Sequence, residues 1–319
     1  MRNSITIFIA SIIVAAAQPV YAQSGGQAMP FVLLDADART AGMAGAGGIL
    51  PDNPSAVRHN AAAVLAGEHK AGLDLAAGPW NTDFDMSEVL YAASGYWNID
   101  GRNGILAGVR CISGEDIVLT DEWGYHVGTA HPYDFAIEAG YARGFGEHFS
   151  VALTVMYMQS DLGIGEGPMR GVSFDAAGVY RHSAGFLDGA RWGVGVKAAG
   201  LGPDIVASSG SSSRLPVRAG AGGYIRLPFS SDHVLNLAAD LEYRFSASAF
   251  EAAAGAEYVF LKHGILRAGY HLGPPVTGGN RAAVGCGFIA GPVRCDAAWR
   301  FEGQGPLGNT LCLTVGLLL

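Results

Sequence analysis

The chain has few charged residues and almost no long apolar runs. Only 15% of its 319 residues are charged, which is low for a soluble protein of this size. Beyond the N-terminal region, no apolar stretch is long enough to cross a bilayer as a helix. These two absences leave two classes to weigh: a large soluble β-sandwich, and a membrane protein that crosses with strands.

Signatures of catalysis and of metal binding are also missing. The nine histidines are scattered, no G-x-S-x-G motif occurs, and His126 and His131 fall in one loop without a serine motif beside them. The four cysteines have no C-x-x-C spacing, and no loop has the ligand spacing of a calcium site. We therefore expect no enzyme activity, no metal site and no cofactor.

The N-terminus predicts a secretory signal peptide over residues 1–22. Arg2 supplies the positive end, Ile5 to Ala17 the apolar region, and Val20 to Ala22 a small-residue cleavage pattern, so the mature chain is expected to begin at Gln23. Removing Arg2 leaves 19 basic and 28 acidic residues, a net charge of −9. That charge argues against nucleic acid as a partner.

From His69 to Leu319 the sequence divides into fourteen strand-like runs of about ten residues each. In the last run, Thr310 to Leu319, leucine and valine alternate with small or polar residues. Val293 to Glu302 and His233 to Phe245 repeat the division, with charged residues on one face. Four charges in the core of a soluble sandwich would be costly, so the pattern favours a transmembrane barrel with apolar residues toward lipid and polar residues toward the lumen.

The gaps between these runs alternate in length. Bacterial barrels have short periplasmic turns and longer outer loops, so the alternation predicts an orientation with both termini in the periplasm. One gap, Ser246 to Ala249, is short on the outer side, which indicates either a misplaced boundary or a low point in the outer rim. The short gaps all follow even-numbered strands: Asn98 to Gly101, Gly144 to Glu147, Ser183 to Asp188, Pro228 to Asp232, Leu261 to Lys262 and Ala290 to Pro292.

Two cysteines flank the last short turn. Cys286 and Cys295 could face each other across one hairpin, and the periplasm permits a disulfide. As free thiols toward lipid they would behave as small apolar residues. The sequence leaves both alternatives open.

Residues 24–67, before the first strand, do not alternate. They are rich in alanine and glycine, and Ser55 to Ala66 could form a short helix. Such a segment is expected to fold into the lumen, which gives three expected parts: signal peptide 1–22, hatch 23–67 and barrel 68–319. The candidate hatch residues are Phe31, Leu33, Leu34, Asp37, Arg39, Gly42, Met43 and Asn60.

The hatch carries a resemblance to a known family. Asp37-Ala38-Arg39 with Gly42-Met43 and Ala44-Gly45, followed by Pro54 to Val57 and Asn60, resembles the N-terminal hatch of FadL-like barrels and, more closely, that of the PorV family of type IX secretion. Further stretches similar to PorV are Asp134 to Ile137 with Tyr141 to Arg143, Phe149 to Ala152 with Ser160 to Leu162, and Pro306 to Leu311. Asn60-Ala61 departs from the usual Asn-Pro of that family.

The resemblance implies an all-β fold, a 14-stranded antiparallel transmembrane barrel in the bacterial outer membrane, and no bond chemistry. It also implies a role in carrying secreted cargo from the translocon to the attachment complex. The partners implied are the C-terminal signal domain of the cargo, a SprA/Sov-like translocon and a PorU-like sortase complex, with outer-membrane lipid around the barrel.

Aromatic residues in the outer gaps are the candidate contacts for cargo: Trp80, Phe84, Trp123 and Tyr125. Trp80, near a strand end, fits equally well in the aromatic girdle at the membrane surface. Two other functions remain open. One is a FadL-type channel for hydrophobic small molecules, which requires an apolar pocket, and the other is a structural scaffold without cargo contact.

Overall fold

The computed structural model describes residues 28–80, 88–114, 116–164, 167–206, 210, 212–302 and 310–319. Fourteen antiparallel strands form a closed barrel in which each strand pairs with the next in sequence and the last pairs with the first. The prediction of a 14-stranded barrel is confirmed. In the described part of the chain, no helix has the length and apolarity needed to cross a membrane.

The strands run for nine to fifteen residues. They are β1 Ala71–Trp80, β2 Glu88–Asn98, β3 Asn103–Ser113, β4 Tyr133–Phe145, β5 Phe149–Asp161, β6 Met169–Ser183, β7 Arg191–Leu201, β8 Arg218–Ser230, β9 His233–Arg244, β10 Ala249–Phe260, β11 Gly264–Leu272, β12 Arg281–Ala290, β13 Val293–Glu302 and β14 Thr310–Leu318.

The two faces of the strands divide as the alternation predicts. In β14, Thr310 and Thr314 are buried, whereas Leu313 and Val315 are exposed on the outer surface. In β13, Asp296 and Arg300 are buried on the inner face. The apolar side chains therefore form the surface that meets lipid, and the charged ones face the lumen.

The connections alternate in length around the barrel. Those after even-numbered strands are short, and most of those after odd-numbered strands are longer. Two outer connections contain small hairpins, Ile117–Thr120 paired with His126–Ala130 and Ile205–Val206 paired with Ser212–Ser213. Residues 245–248 join β9 to β10, so the short outer connection is a real feature of the rim.

The N-terminal segment, residues 28–67, is built from short helical turns. They are the 3-10 helix Pro30–Leu33, the α-helix α1 at Ala38–Gly42, and the 3-10 helices Pro54–Arg58 and Ala61–Ala66. The single short helix expected over Ser55 to Ala66 is therefore wrong. Asn60 is extended and its side chain accepts from the Ala62 amide, which starts a new helix instead of continuing the first.

This segment runs along the inside of the barrel from one end to the other. The Ala28 amide donates to the Arg214 carbonyl, 3.0 Å, in the outer connection after β7. At the other end the Lys70 amide donates to the carbonyl of Leu319, 2.7 Å. Leu319 thus lies at the end that the short turns mark as periplasmic, and Ala28 lies at the outer end. The prediction that the N-terminus is periplasmic falls on residues before Ala28, which lie outside the described residues.

Glycines in the wall allow the segment to approach closely. A Cβ added at Gly269 would lie 2.2 Å from the carbonyl carbon of Met43, and one at Gly255 would lie 2.7 Å from the Met43 Cβ. Both distances are too short for any side chain. Glycine at these two positions therefore lets the segment lie directly against the wall.

The register corrects the expectation for the two cysteines. Cys286 of β12 lies opposite Ala297, and Cys295 of β13 lies opposite Phe288. They do not face each other as a direct cross-strand pair, and both are exposed free thiols. The alternative in which they act as small apolar residues toward lipid agrees with this placement.

Candidate functional site in the lumen and at the outer rim

Arg39 joins the N-terminal segment to the barrel wall. Its Nε and Nη2 donate to the two carboxylate oxygens of Glu257 in β10, at 2.9 and 2.8 Å. Its Nη1 donates to the carbonyls of Pro51 and Asp52, at 3.0 and 3.2 Å. A paired guanidinium and carboxylate of this kind fix both distance and orientation. Burial lowers the pKa of Arg39, but the Glu257 carboxylate raises it by more. The pKa of Arg39 therefore lies above its usual value.

The contact extends into a chain of alternating charges on the inner wall. Glu257 also accepts from Arg267 Nε, 2.7 Å, and from Asn236 Nδ2, 2.9 Å. Each buried charge has an opposite partner, which the low-polarity interior requires. The chain continues from Arg267 to Asp296 at 2.7 Å, from Asp296 to Arg294 at 2.6 Å, and from Arg294 to Asp74 at 3.2 Å.

Arg58 makes a second connection on another part of the wall. It donates to Glu138 Oε2 at 3.0 Å, to Ser94 Oγ at 3.1 Å, and to the carbonyls of Ala93 and Val109 at 2.9 and 2.8 Å. The same Glu138 carboxylate pairs with Arg110. Two arginines therefore share one carboxylate at this point.

Asp37 organises α1 from its N-terminal end. Its Oδ1 accepts from the Thr40 amide, 2.8 Å, and its Oδ2 pairs with His59 Nε2, 2.9 Å. Burial raises the pKa of Asp37, but the hydrogen bonds from His59 and Thr40 outweigh burial and hold that pKa below its usual value.

The other hatch candidates from the sequence are also inside. Phe31 is buried at the outer end, in a cluster with Met158 and Leu215, and Leu33 and Leu34 pack against this cluster. These positions agree with a hatch, but a hatch role for these residues and for the segment stays a prediction. The remaining candidates also contact the wall: Gly42 lies against Gly285, Met43 against Gly255 and Gly269, and Asn60 Nδ2 donates to the Val196 carbonyl at 3.3 Å.

A cavity of about 110 Å³ lies between the N-terminal segment and strands β7 to β12. Its wall is strongly charged, with Lys197, Arg218, Arg244, Glu242 and Glu251 among the lining side chains. Pockets for hydrophobic molecules are lined mainly by apolar and aromatic side chains. This cavity instead combines charged side chains with aliphatic ones, such as Leu34 and Ile49, and among the described residues it has no aromatic residue in its lining.

At the outer rim, two aromatic side chains project from the hairpin after β3. Trp123 is 76% exposed and Tyr125 is 72% exposed. The Asp121 carboxylate accepts from the amides of both residues, at 3.0 and 2.8 Å, and so orders the tip of the hairpin. Of the four residues predicted to bind cargo, these two are brought together.

The other two residues predicted to bind cargo are Trp80 and Phe84. Trp80 is the last residue of β1, at its outer end. Phe84 lies outside the described residues. A role in cargo binding stays a prediction for all four.

The outer histidines are not arranged for hydrolysis. His131 pairs with Asp116, and His126 Nε2 lies 3.4 Å from Thr129 Oγ1. Among the described residues, the partners of these two histidines are a carboxylate and a threonine hydroxyl, and neither is a serine. Among the same residues, no group of three or more histidine, cysteine, aspartate or glutamate side chains is placed to hold a metal ion.

Sequence reasoning missed the partners in the lumen. Arg294, Asp296 and Arg300 were assigned to the inner face by alternation, which is correct. Nothing in the sequence indicated that Arg39 pairs with Glu257, which is 218 positions away. Alternation shows which face a residue occupies, but it does not show which residue lies across the lumen.

Together these features define a class of protein: an outer-membrane β-barrel whose lumen is occupied by its own N-terminal segment. Solved structures of FadL-like barrels share this fold. The Pseudomonas putida toluene transporter TodX is 12% identical and superposes with a TM-score of 0.60, over 90% of this chain and 98% of that one. A Pseudomonas aeruginosa FadL homologue is 12% identical with a TM-score of 0.52, over 88% of this chain and 98% of that one.

The family model described as "Type IX secretion system protein PorV" matches residues 21–244. The chain belongs to this family and is an outer-membrane component of type IX secretion. No curated protein sequence matches it. The description of this family names a secretion component and no enzyme activity, and the absence of enzyme activity stays a prediction.

Proposed function

We propose that this protein binds the C-terminal signal domain of type IX cargo at its outer rim and carries it to the sortase and attachment complex. Membership of the PorV family supports the setting. The observation that carries the proposal is the pair of highly exposed aromatic side chains, Trp123 and Tyr125, on an ordered outer hairpin. Exposed tryptophan and tyrosine are the residue types that contribute most to protein interfaces.

The neighbouring part of the hairpin extends the apolar surface. Val118 and Val127 are 60% and 63% exposed, on the two strands below the aromatic tip. The remainder of the loop carries acidic residues, including Asp121 and Glu122. An apolar centre with a charged rim is the usual anatomy of a protein interface.

The partners follow from the family. The cargo would arrive from a SprA/Sov-like translocon and leave to a PorU-like sortase complex. The short connection at residues 245–248 makes a low point in the outer rim, where one of these partners could approach without colliding with longer loops.

The alternative, a FadL-type channel for hydrophobic molecules, is less well supported. The fold fits either function. The interior cavity, however, is lined by arginine, lysine and carboxylate side chains, and an apolar ligand would have to displace their hydration or hydrogen bonds at a cost.

The test uses Trp123→Ala and Tyr125→Ala, with Phe186→Ala as the matched control. Phe186 is 71% exposed but lies in the periplasmic turn after β6. Truncation of an aromatic hot-spot residue costs about 2 kcal/mol or more, so we expect each hairpin variant to weaken capture of a purified cargo signal domain by roughly tenfold or more. Surface display of cargo should fall in parallel.

Barrel abundance is measured in the same cells by heat-modifiable migration on gels. The control variant should bind cargo as the wild type does. Unchanged capture and display in both hairpin variants, at normal barrel abundance, would contradict the proposal.

A further inference from the structure

The outer hairpin, Ile117–Thr120 paired with His126–Ala130 after β3, is a two-stranded sheet of its own. Among the described residues, neither strand pairs with any strand except the other. Two strands alone are marginally stable in water, because independent stability requires a third strand or a packed face. Each strand of the outer hairpin therefore has one edge that a further strand could occupy.

Both faces of the outer hairpin are open to solvent as well. Val118 and Thr120 are exposed on one face, and Ile117 is exposed on the other. The small hairpin after β7 differs, because its Ile205 is 3% exposed and belongs to a buried apolar cluster. The outer hairpin thus presents apolar side chains and backbone groups that are accessible to a partner.

The two edges of the outer hairpin are not equivalent. Leu119 and Thr120 of the first strand lie opposite Gly128 and His126 of the second, so the intervening residue, Val127, is a bulge. A bulge disrupts the regular spacing of backbone groups and is one of the ways in which proteins protect an edge. The first strand is regular and contains no proline. Its edge is therefore the one suited to accept another strand.

The direction of the backbone groups on this edge follows from the turn. The Asp121 amide donates to the Tyr125 carbonyl across the hairpin, 2.9 Å. Opposed residues in an antiparallel pair alternate between hydrogen-bonded and non-hydrogen-bonded positions. Counting back from Asp121, the backbone groups of Leu119 point toward the second strand, and those of Val118 and Thr120 point away from it. The groups of Val118 and Thr120 are the ones with which a third strand would pair.

The charge of this connection limits what can bind there. No lysine or arginine occurs between Arg110 and Arg143, whereas Asp116, Asp121 and Glu122 flank the first strand of the outer hairpin. These carboxylates repel an acidic partner and attract a basic one. The occupant that fits is an extended segment with apolar side chains in its middle and lysine or arginine at its ends.

We propose that the outer hairpin binds cargo by strand addition. An extended, basic-flanked strand of the cargo signal domain pairs with the backbone of Ile117–Thr120 and extends the hairpin to three strands. In strand addition the main-chain hydrogen bonds provide affinity, and alternate side chains provide specificity. This inference rests on the proposed binding of cargo at the outer rim and adds the mode of recognition, with Trp123 and Tyr125 beyond one end of the added strand.

Hydrogen exchange with and without a purified cargo signal domain tests the pairing. The full mature protein is studied in detergent, and exchange is resolved at single amides by fragmentation in the mass spectrometer. The amides of Val118 and Thr120 should exchange about tenfold or more slowly in the complex, because they gain hydrogen-bond partners. The amide of Val127, on the bulged edge, is the internal control and should not change.

The outcomes separate this inference from the proposed function. Capture of cargo without protection of Val118 and Thr120 would overturn strand addition and leave cargo binding at the rim in place. Absence of capture by the wild-type protein would overturn both.

Proline substitutions distinguish the two edges. Val118→Pro removes an outward amide, and its ring blocks the approach of a strand, whereas Thr129→Pro makes the same change at the residue directly opposite, on the bulged edge. We expect Val118→Pro to weaken capture by about tenfold or more and Thr129→Pro to bind as the wild type does. Barrel abundance is checked by heat-modifiable migration. If both proline variants lose capture, hydrogen exchange of the wild-type protein decides between the two edges.

A third variant separates backbone from side chain. Val118→Thr keeps the amide and the branched side chain, so it should retain most of the capture. Equal loss in Val118→Thr and Val118→Pro would assign the binding to the side chain and overturn strand addition.

Two further measurements identify the occupant. Protection of Val118 and Thr120 that rises with protein concentration in the absence of cargo would assign the edge to a second copy of this chain and overturn its assignment to cargo. Sodium chloride should weaken capture several-fold between about 0.05 M and about 0.5 M, because exposed charges are screened. Capture that does not change with salt would overturn the assignment to a basic-flanked strand.

Discussion

At the scale of single residues, buried ion pairs connect the N-terminal segment to the barrel wall. Arg39 and Arg58 each pair with a carboxylate on a strand, and Asp37 joins α1 to His59 within the segment. Such pairs need not stabilise a fold more than apolar residues would. Removing one partner, however, leaves the other charge buried and uncompensated, at a cost of about 3–5 kcal/mol.

We therefore expect Arg39→Met to destabilise the protein strongly. Glu257 would keep Arg267 and Asn236 but would lose a partner that contacts both of its oxygens. The measurement is the apparent unfolding temperature of the purified barrel in detergent. The control is Arg191→Met, because the Arg191 to Glu68 pair is 49% and 58% exposed and such pairs contribute about 1 kcal/mol or less. Equal unfolding temperatures for the two variants would refute the role given to Arg39.

The lowered pKa of Asp37 predicts that the stability of the fold depends on pH. Because its pKa in the folded state lies below the ordinary value of 3.8, its contribution to stability is present above that pH and is lost as the pH falls below it. Asp37→Asn should therefore unfold more easily than the wild type at pH 7, and the difference should shrink below pH 4. A difference that stays constant down to pH 2 would show that the carboxylate charge is not involved.

At the scale of structural elements, small residues allow α1 to pack closely against the barrel wall. The helix and the following Met43 lie against Gly255, Gly269 and Gly285 on three adjacent strands. The hydrogen bond from the Ala38 amide to Thr314 Oγ1, 2.9 Å, attaches the start of the helix to β14. A helix of five residues has little stability of its own, so these contacts hold it in place.

Gly269→Ala tests this packing. The new Cβ would meet the backbone of Met43 at 2.2 Å, so the segment must move. We expect a loss of about 1–3 kcal/mol, as for other overpacked sites, and faster proteolysis of the segment. Gly178→Ala in β6 is the matched control, because its new Cβ would have no neighbour closer than 3.8 Å. Similar protease resistance in both variants would contradict close packing of the segment.

At the scale of the whole molecule, the alternation of connection lengths indicates how the barrel is oriented in the membrane. The long connection that carries Trp123 faces outward, and the short turns face the periplasm. The described N-terminal segment, residues 28–67, contacts the wall between these two ends. The aromatic hairpin and the charged cavity both lie toward the outer side.

Cysteine labelling of intact cells tests the orientation. Glu122→Cys places a thiol in the outer hairpin and Glu147→Cys places one in a periplasmic turn, and both positions are exposed. A membrane-impermeant maleimide should label the first variant well above the wild-type background and the second only after cell lysis. Labelling of Glu147→Cys in intact cells would mean that the orientation is reversed.

Much of the fold follows from local pattern. Alternation over ten residues, with turns between, was enough to identify fourteen strands, their inner and outer faces and the outer gap that carries Trp123 and Tyr125; the hairpin within this gap was not predicted. These features depend on neighbours in sequence. The break at Asn60 and the offset of Cys286 from Cys295 were missed, because they depend on a side-chain cap and on the register of one hairpin.

The sequence by itself determined the barrel, its membrane and, through the resemblance of its hatch, its family, because hydrophobic alternation and turn chemistry are local properties. Only the tertiary structure decided that Arg39 meets Glu257, that the first described residue lies at the outer end, and that Arg218 lies directly opposite Arg244. Closing a ring of strands around a folded segment brings together residues that are far apart in sequence, and no pattern along the chain records which of them meet.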